Sequence, residues 1–453
     1  MPTPQLDPRD PETRIARLLD DGKFEFLLPR TDCGMVAVTG NIKGNKVIVF
    51  ASDATIKSGA LGVEGSKVIV SAYKAAMGAQ VPIIGIWHSG GARLSDGVAS
   101  LDAFGEVFQS MISASGRIPQ LSLVLGPTAG GGAYGPALTD IVVLSPEGRI
   151  FVTGPDVVKS VTGEDIDMAL LGGPEAHRKN SGLAHIIAPT EQEAIDDVRD
   201  LTALFANHGV MKADVADIDL AVFVPQSKVR TYEVHPLVDA ILDKETEHIE
   251  LLSMWAPNMT TIIGRLGGAT VGVLANNPAH IAGVLDAAAG EKAARFVRTC
   301  DAFGIPLIVI ADVQGFLPGA GQECVGVNHL GHHLLSLLLL DDLAQAPDAN
   351  MKRLIIVGSV TGNTNTLAGQ VPPRAGLGDM SGLKNGFKNS DRNQGALIDG
   401  TRFIGAKAYK DSKLCNMLDI KAFAERYGES TGIKFSTMYP GCNRKNPSTR
   451  RQR

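Results

Sequence analysis

Apolar segments of strand length alternate with helical segments along the first part of the chain. Residues 81–87 and 121–125 are short and mainly apolar, which is typical of strands buried on both faces of a sheet. Residues 101–115 carry apolar side chains at helical spacing. The pattern also predicts helices over residues 11–20 and 66–78 and a strand–turn–strand over residues 35–52. This alternation predicts an α/β fold.

Two stretches of the chain repeat one spacing of glycine, valine and proline residues. Each member of the second stretch lies 224 residues after its counterpart: Gly40 and Gly264, Gly44 and Gly268, Val47 and Val271, Pro82 and Pro306. Chance agreement between similar turns is a poor explanation, because several features share one offset. We therefore predict two copies of one domain that begin near residues 35 and 259.

The repeat predicts a glycine pair that the second copy lacks. The counterparts of Gly130 and Gly131 would fall at positions 354 and 355, which are Leu354 and Ile355. Composition changes before that point, with a leucine-rich helix and then a polar loop after residue 324. We predict a seam between Glu323 and Cys324.

Residues 126–140 are rich in glycine and follow the predicted strand 121–125. Glycines in this place let backbone amides approach a ligand without an intervening Cβ. Two such amides aimed at one point form an oxyanion hole, to which a helix over residues 133–139 would add its dipole. The alternative is a tight turn without chemistry, and this segment alone favours neither.

Composition and charge narrow the class of protein. A length of 453 residues with 44% hydrophobic residues fits two or three domains, and 51 glycines with 5% aromatic residues favour an α/β class. The formal net charge of −5 argues against nucleic-acid binding, and no apolar run is long enough for a membrane span. The start of the chain has no signal-peptide pattern, and the 5 scattered cysteines favour neither a disulfide framework nor a metal site. We expect a cytoplasmic protein.

Five ordered blocks carry a specific resemblance in the first part of the chain: residues 85–94 (GIWHSGGARL), 132–140 (GAYGPALTD), 151–158 (FVTGPDVV), 271–278 (VGVLANNP) and 292–298 (KAARFVR). Through these blocks, residues 1–323 resemble the carboxyltransferase β subunit of biotin-dependent acetyl- and propionyl-CoA carboxylases. The resemblance implies a crotonase-like (ClpP/crotonase) domain over residues 1–230 and a truncated second one over residues 231–323.

The resemblance also implies an activity and a site. Such a subunit transfers a carboxyl group from carboxybiotin, held on a partner carrier protein, to the enolate of an acyl-CoA. It implies an oxyanion hole formed by Gly130 and Gly131, with Gly132 and Ala133 completing the turn. The neighbouring loop, close to CoA or biotin, contains Ser89, Gly90, Gly91 and Arg93. For Arg93, a CoA phosphate contact and a surface salt bridge are nearly equal alternatives, and we interpret His88 as a packed histidine.

The family's second oxyanion hole lies beyond the segment that here spans residues 315–323. We therefore expect impaired catalysis from this chain alone. In the family, the site forms between the first domain of one subunit and the second domain of another. The resemblance thus implies a biotin carboxylase or biotin carrier subunit as partner, and either a homo-oligomer or association with intact carboxyltransferase subunits.

Four further blocks lie at residues 327–332, 353–366, 405–417 and 439–442. They resemble light-dependent protochlorophyllide reductase, a short-chain dehydrogenase relative. Residues 324–442 would then form a partial Rossmann-type short-chain dehydrogenase segment, followed by a basic tail over residues 443–453. The resemblance implies Tyr409 as the proton donor, with Lys413 beside it. It also implies Ser359 as a substrate-orienting hydroxyl, Asn328 as the helix asparagine and Cys442 as a cysteine at the pigment site.

Tyr409 and Lys413 are one helical turn apart, so the ammonium group can lower the pKa of the phenol. No glycine-rich strand-to-helix turn precedes this segment, so we expect NADPH as a cofactor only if the segment is functional. The chain resembles a fusion or chimera, and an artefactual gene model is one form of that hypothesis. An NADPH-dependent reductase and a non-catalytic fusion protein remain alternatives to the carboxyltransferase, with a plastid location if the reductase-like part reflects the origin.

Overall fold

A computed structural model describes residues 7–212, 218–227, 230–244, 246, 248–313, 315, 332–346, 352–385 and 396–438. The chain divides into two compact units, Met1–Gly315 and Phe316–Arg453. Strands alternate with helices in both units, so the predicted α/β class is confirmed. The domain ranges 1–230, 231–323 and 324–442 stay predictions, and the seam between Glu323 and Cys324, like the tail 443–453, lies outside the described residues.

The larger sheet of the first unit has eight strands, seven of them in the order β1-β2-β3-β4-β5-β6-β8 with β7 beside β5. The strands are β1 Phe24–Phe26, β2 Met35–Ile42, β3 Asn45–Ser52, β4 Ile83–Ser89, β5 Gln120–Ala129, β6 Ile141–Leu144, β7 Arg149–Phe151 and β8 Ile186–Ile187. Pairing is antiparallel from β1 to β3 and parallel from β3 onward.

Helices cover both faces of this sheet, because alternate strand residues point to opposite faces and both sets are apolar. They are α1 Pro11–Leu18, α2 Val63–Ala79, α3 Val98–Ala114, α4 Gly131–Ala137, α5 Pro155–Thr162, α6 Met168–Gly172, α7 Pro174–Ala176 and α8 Glu191–Ala206. One core joins the sheet to α1 and α8 through residues such as Ile15 and Val198. The other joins it to α2 and α3 through Ile69 and Val107.

The strand and helix that lead into the glycine-rich segment differ from the prediction. The predicted strand 121–125 continues to Ala129, because residues 127–129 pair with Arg149–Phe151. The helix predicted over residues 133–139 instead spans Gly131–Ala137. Gly131 and Gly132 therefore occupy the first turn of a helix.

A second sheet of the first unit contains β9 Ile249–Glu250, β10 Met259–Leu266, β11 Ala269–Asn276 and β12 Leu307–Ile310, with α9 His235–Ile241 and α10 Ala287–Ala302. Its hairpin copies the hairpin β2–β3 at the offset of 224 residues. Met35 pairs with Ser52 in the first hairpin, and Met259 pairs with Asn276 in the second. The repeat predicted from spacing is thus present as matching strands in matching register.

A strained turn is also repeated at this offset. In the turn Lys57–Gly59, Ser58 has φ +53° and Gly59 has φ +70°; in the turn Ile281–Gly283, Ala282 has φ +54° and Gly283 has φ +69°. A Cβ on Gly59 would lie 2.0 Å from the carbonyl oxygen of His88. Left-handed backbone and close approach together require glycine at the third position of each turn.

The second unit contains a two-stranded parallel sheet, β13 Arg353–Val357 and β14 Lys434–Met438, and the helices His332–Gln345, Leu367–Gln370, Ser381–Lys384 and Gly405–Thr431. Leu354, Ile356, Ile420, Phe423 and Ile433 belong to its core. The leucine-rich helix predicted after residue 324 is present as His332–Gln345. The general strand–helix–strand order fits an α/β layer.

Candidate active site

Two loops meet at the carboxyl ends of the neighbouring parallel strands β4 and β5. Ser89 pairs in register with Thr128 after an irregularity at the end of β4, which brings the start of both loops together. A Cβ on Gly91 would lie 3.0 Å from the Ala129 carbonyl oxygen, and one on Gly132 would lie 3.1 Å from Ser89 Oγ. The predicted residues Ser89, Gly91 and Gly132 are therefore neighbours, and larger side chains would separate the two loops.

Gly130 forms the corner between strand β5 and helix α4. Its φ of +54° and ψ of −129° lie in a region that residues with a Cβ avoid. Its amide donates to the Phe151 carbonyl oxygen at 3.1 Å. This hydrogen bond holds the corner and engages the Gly130 amide, one of the two predicted oxyanion donors.

The amides of Gly131 and Gly132 begin helix α4. The first amides of a helix have no intrahelical acceptor, so this pair keeps its hydrogen-bonding capacity for a ligand. The Ala133 amide, in contrast, donates to the Gly130 carbonyl oxygen at 3.0 Å. Of the four predicted turn residues, Gly131 and Gly132 are the ones whose amides suit an oxyanion. Their assignment as such a site stays a prediction.

Arg93 forms no ion pair among the described residues and donates instead to backbone carbonyl groups, and its contact with a CoA phosphate stays a prediction. Its Nη2 donates to the carbonyl oxygens of Cys33, at 2.8 Å, and Ala60, at 3.3 Å. The guanidinium group thereby ties the chain after β4 to the segments before β2 and α2. Gly90 is exposed beside it, and its amide donates to the Ser58 carbonyl oxygen.

His88 is packed and hydrogen bonded in the structure. Its Nδ1 lies 3.2 Å from Arg14 Nη1 and its amide donates to Ser52 Oγ at 2.7 Å. Burial, with a further contribution from the Arg14 charge, lowers its pKa to about 4. A neutral ring that accepts from Arg14 has a structural role at the end of β4.

The positions expected to mirror the glycine pair have strand geometry. Leu354 and Ile355 lie within β13 and pair with Phe435 and Ser436 of β14. A strand in a ladder does not present two adjacent amides to one point, because successive amides point to opposite sides. No second oxyanion hole forms at these two positions.

The structure describes three of the five reductase-like residues. Lys413 Nζ lies 5.7 Å from the ring centroid of Tyr409 and donates to the Val357 carbonyl oxygen at 3.1 Å. Burial lowers the pKa of Lys413. Ser359 Oγ lies 2.8 Å from Thr361 Oγ1. Asn328 and Cys442 lie outside the described residues.

Sequence reasoning missed the role of Lys292, although this residue stood in a matching block. Its ammonium group is 1% exposed and donates to the carbonyl oxygens of Leu252, at 2.8 Å, and Trp255, at 3.1 Å. Leu252 and Ala256 both have positive φ, +58° and +48°. A buried lysine thus holds a strained loop, and no sequence signal shows that combination in advance.

Neither a membrane-spanning helix nor a metal-binding cluster is present among the described residues. No helix there is long and apolar enough to cross a membrane. No group of three or more His, Cys, Asp or Glu side chains there is arranged to hold a metal ion.

The chain is similar to known carboxyltransferases over most of its length. The model of the carboxyl transferase domain family matches residues 14–340. The biotin-dependent acetyl-/propionyl-coenzyme A carboxylase beta6 subunit of Mycobacterium tuberculosis is 55% identical over 333 residues, which cover 73% of this chain and 70% of the relative. The propionyl-CoA carboxylase beta chain of Rhodococcus erythropolis is 50% identical over 335 residues, with the same coverage of both chains.

A solved structure shares the fold. Transcarboxylase 12S with hydrolysed methylmalonyl-coenzyme A bound matches with a TM-score of 0.66 at 33% identity, covering 76% of this chain and 72% of that one. A single-chain long-chain acyl-CoA carboxylase matches with a TM-score of 0.60 at 24% identity, which concerns the fold alone. The family match ends at residue 340, before the positions of Tyr409 and Lys413.

Proposed function

Because the chain belongs to the carboxyl transferase domain family, we propose that it is the carboxyltransferase β subunit of a biotin-dependent acyl-CoA carboxylase. Its substrate would be a short acyl-CoA of the acetyl or propionyl class, as in the names of the relatives described above. Carboxybiotin on a partner carrier protein would supply the carboxyl group. We further propose a cytoplasmic location.

The pair of amides at Gly131 and Gly132 carries the assignment at the level of the site. Carbon–carbon bond formation next to a thioester requires an enolate, whose oxygen is negatively charged. Two amides held at the start of a helix stabilise such an oxygen without reorganisation, and losing one donor of this type costs about 2.7–4 kcal/mol of barrier. The Gly130–Phe151 hydrogen bond fixes their direction.

The loop of residues 89–91 supports the same site by leaving space beside it. Gly90 is exposed, and Gly91 brings the backbone to Ala129 and Gly130 without a side chain between. A thioester could therefore lie along backbone alone. His88, at the end of β4, contacts Arg14 through Nδ1, and we assign it no role as a general base.

Catalysis by the chain alone should be weak. The family's second hole has no counterpart at Leu354 and Ile355, which are strand residues. We propose that an intact carboxyltransferase subunit, or a second copy with suitable residues, supplies the missing donors in an oligomer.

Carboxyl transfer between malonyl- or methylmalonyl-CoA and free biotin tests this function. We expect slow transfer that Gly131→Pro, which removes one amide donor at the first helical position, lowers about a hundredfold while CoA-thioester binding persists. If the chain binds CoA thioesters but transfers no carboxyl group, with or without an intact family member present, the proposed catalytic function is wrong and the chain only binds these ligands.

A reductase function for the second unit is a weaker alternative. The observation in its favour is the adjacency of Tyr409 and Lys413 in one long helix. Against it, the Lys413 ammonium group already donates to Val357, and the sequence before the segment offers no glycine-rich turn for a dinucleotide. An NADPH fluorescence titration decides the matter: we expect no saturable binding, and a Kd in the micromolar range would revive the alternative.

A further inference from the structure

A cleft in the first unit is lined by none of the residues of the Gly130 corner or of the loop 89–91. Its cavity volume is about 40 Å³, and it lies between the end of α7 and the loop of residues 252–256. Its polar lining consists of His177, Arg178, His185, Ser253 and Trp255, and the other lining residues are apolar. Neither aspartate nor glutamate lines it.

His185 presents an unused hydrogen-bond donor here. The Val142 amide donates to His185 Nδ1 at 3.0 Å, so Nδ1 has no proton and the neutral ring carries its proton on Nε2. The side chain is 4% exposed, and burial lowers its pKa well below the usual range, so the ring stays neutral. Among the described residues, no acceptor lies within hydrogen-bond distance of Nε2.

A second donor without a partner comes from Arg178. Its Nη1 pairs with Glu175 at 2.9 Å, whereas its Nε is buried and has no hydrogen-bond partner. An unpaired buried donor of this kind costs about 1–3 kcal/mol, so an acceptor beside Arg178 would stabilise the folded chain.

Positive charge surrounds the same region. A smaller adjoining cavity shares His185 and Leu252 with the cleft and is lined by Lys292 and Arg295, again without a carboxylate. The ammonium group of Lys292 and the guanidinium groups of Arg178 and Arg295 therefore bias this region toward negative ligands.

From these observations we propose that the cleft is a binding site for a compact oxyanion of the size of bicarbonate or phosphate. Its oxygens accept from His185 Nε2 and from Arg178, and the Ser253 hydroxyl group lies in the same lining. The neutral histidine gives directional hydrogen bonding, while the cations give charge complementarity. None of the residues that we assign to the oxyanion corner lines this cleft, so the proposal goes beyond the proposed transfer activity.

Isothermal titration of the full chain with sodium phosphate, and separately with sodium bicarbonate, tests the proposal against sodium chloride at equal ionic strength. We expect saturable one-to-one binding of at least one oxyanion. Arg178→Gln should weaken that binding at least about tenfold. Lys179→Gln is the matched control, because Lys179 also pairs with Glu175 and carries the same charge, and it should change the Kd less than about twofold.

Nitrogen NMR of the histidine rings gives a second readout that requires no substitution. The Nε2–H signal of His185 should shift with the same saturation curve as the heat of binding. Absence of saturable binding for both oxyanions, or equal Kd values for Arg178→Gln and the unaltered chain, would overturn the proposal and would indicate that the cleft holds only water.

Discussion

At the scale of single residues, backbone conformation matters more than side-chain chemistry at the candidate site. Gly130→Ala would force a Cβ onto φ +54°, although nothing in that space lies closer than 3.9 Å. We expect a loss of about 1–3 kcal/mol in the free energy of unfolding and a tenfold or larger loss of transfer rate, because the Gly131 and Gly132 amides lose their support.

Urea denaturation and steady-state transfer assays measure these two effects. Gly154→Ala is the control, because its added Cβ would meet nothing within 4 Å and its φ is −69°. It should leave both quantities nearly unchanged. A Gly130→Ala variant with full activity would show that the corner does not position the donors.

Lys292 predicts a pH dependence of stability. Burial lowers its pKa from 10.5 to about 8. Between these values the unfolded chain binds a proton that the folded chain does not, so stability from this group rises with pH across that window. Relative to Lys292→Met, the unaltered chain should gain about 3 kcal/mol between pH 8 and pH 10.5.

Denaturant titrations of both chains at several pH values measure that difference. Lys292→Arg is a useful companion, because arginine keeps its charge throughout the window. The Arg variant should therefore show no such gain over Lys292→Met. A constant difference between the unaltered chain and Lys292→Met would contradict the depressed pKa.

At the scale of elements, the loop of residues 252–256 forms contacts both with the segment just before β8 of the larger sheet and with helix α10. The Leu252 amide donates to the His185 carbonyl oxygen, Lys292 donates to the loop, and the Trp255 ring packs over Gly182. Arg295 of the same helix donates to the Gly182 carbonyl oxygen at 3.1 Å. One short loop thus joins elements from both repeats.

Gly182→Ala tests this connection. The added Cβ would lie 2.5 Å from the Trp255 ring at φ +56°. We expect a loss of about 2–4 kcal/mol in unfolding free energy from overpacking and backbone strain together. Gly163→Ala has φ +78° but no neighbour within 4 Å, so it should lose only about 1 kcal/mol. Equal losses in the two variants, measured by denaturant unfolding, would remove any role for the Trp255 contact.

Element positions were largely predictable from sequence, whereas element ends and hydrogen-bond partners were not. Spacing alone located the hairpins that begin at Met35 and Met259, since glycine turns and apolar strands recur at one offset. It did not extend β5 to Ala129, because that extension depends on pairing with the distant strand β7. It also could not show that Phe151 engages the Gly130 amide, since that contact is tertiary.

At the scale of the whole molecule, the repeat includes a matching backbone contact outside the two hairpins. The Leu61 amide donates to the Gly91 carbonyl oxygen at 2.8 Å, and the Leu285 amide donates to the Gly315 carbonyl oxygen at 2.9 Å. Both residues of the second pair lie 224 positions after those of the first. The same leucine-to-glycine hydrogen bond thus recurs in both copies, between identical residue types.

Complementation follows from this incomplete duplication. We expect the chain, co-assembled with a carboxyltransferase whose own first glycine pair is disabled by substitution, to recover transfer activity that neither has alone. Carboxyl transfer by the purified mixed oligomer measures this. The chain carrying Gly130→Ala is the control and should restore little. Failure of both mixtures, despite stable mixed oligomers, would mean that the first site is not competent.

The matching register of the two hairpins has a consequence for how such chains gain or lose a repeat during evolution. Unequal recombination between the two copies would delete or add one block of 224 residues. Each remaining hairpin would still pair in the register in which Met35 pairs with Ser52 and Met259 pairs with Asn276. Proteins with one copy or three copies of this unit are thus one genetic event away, with the hairpin strands already in register.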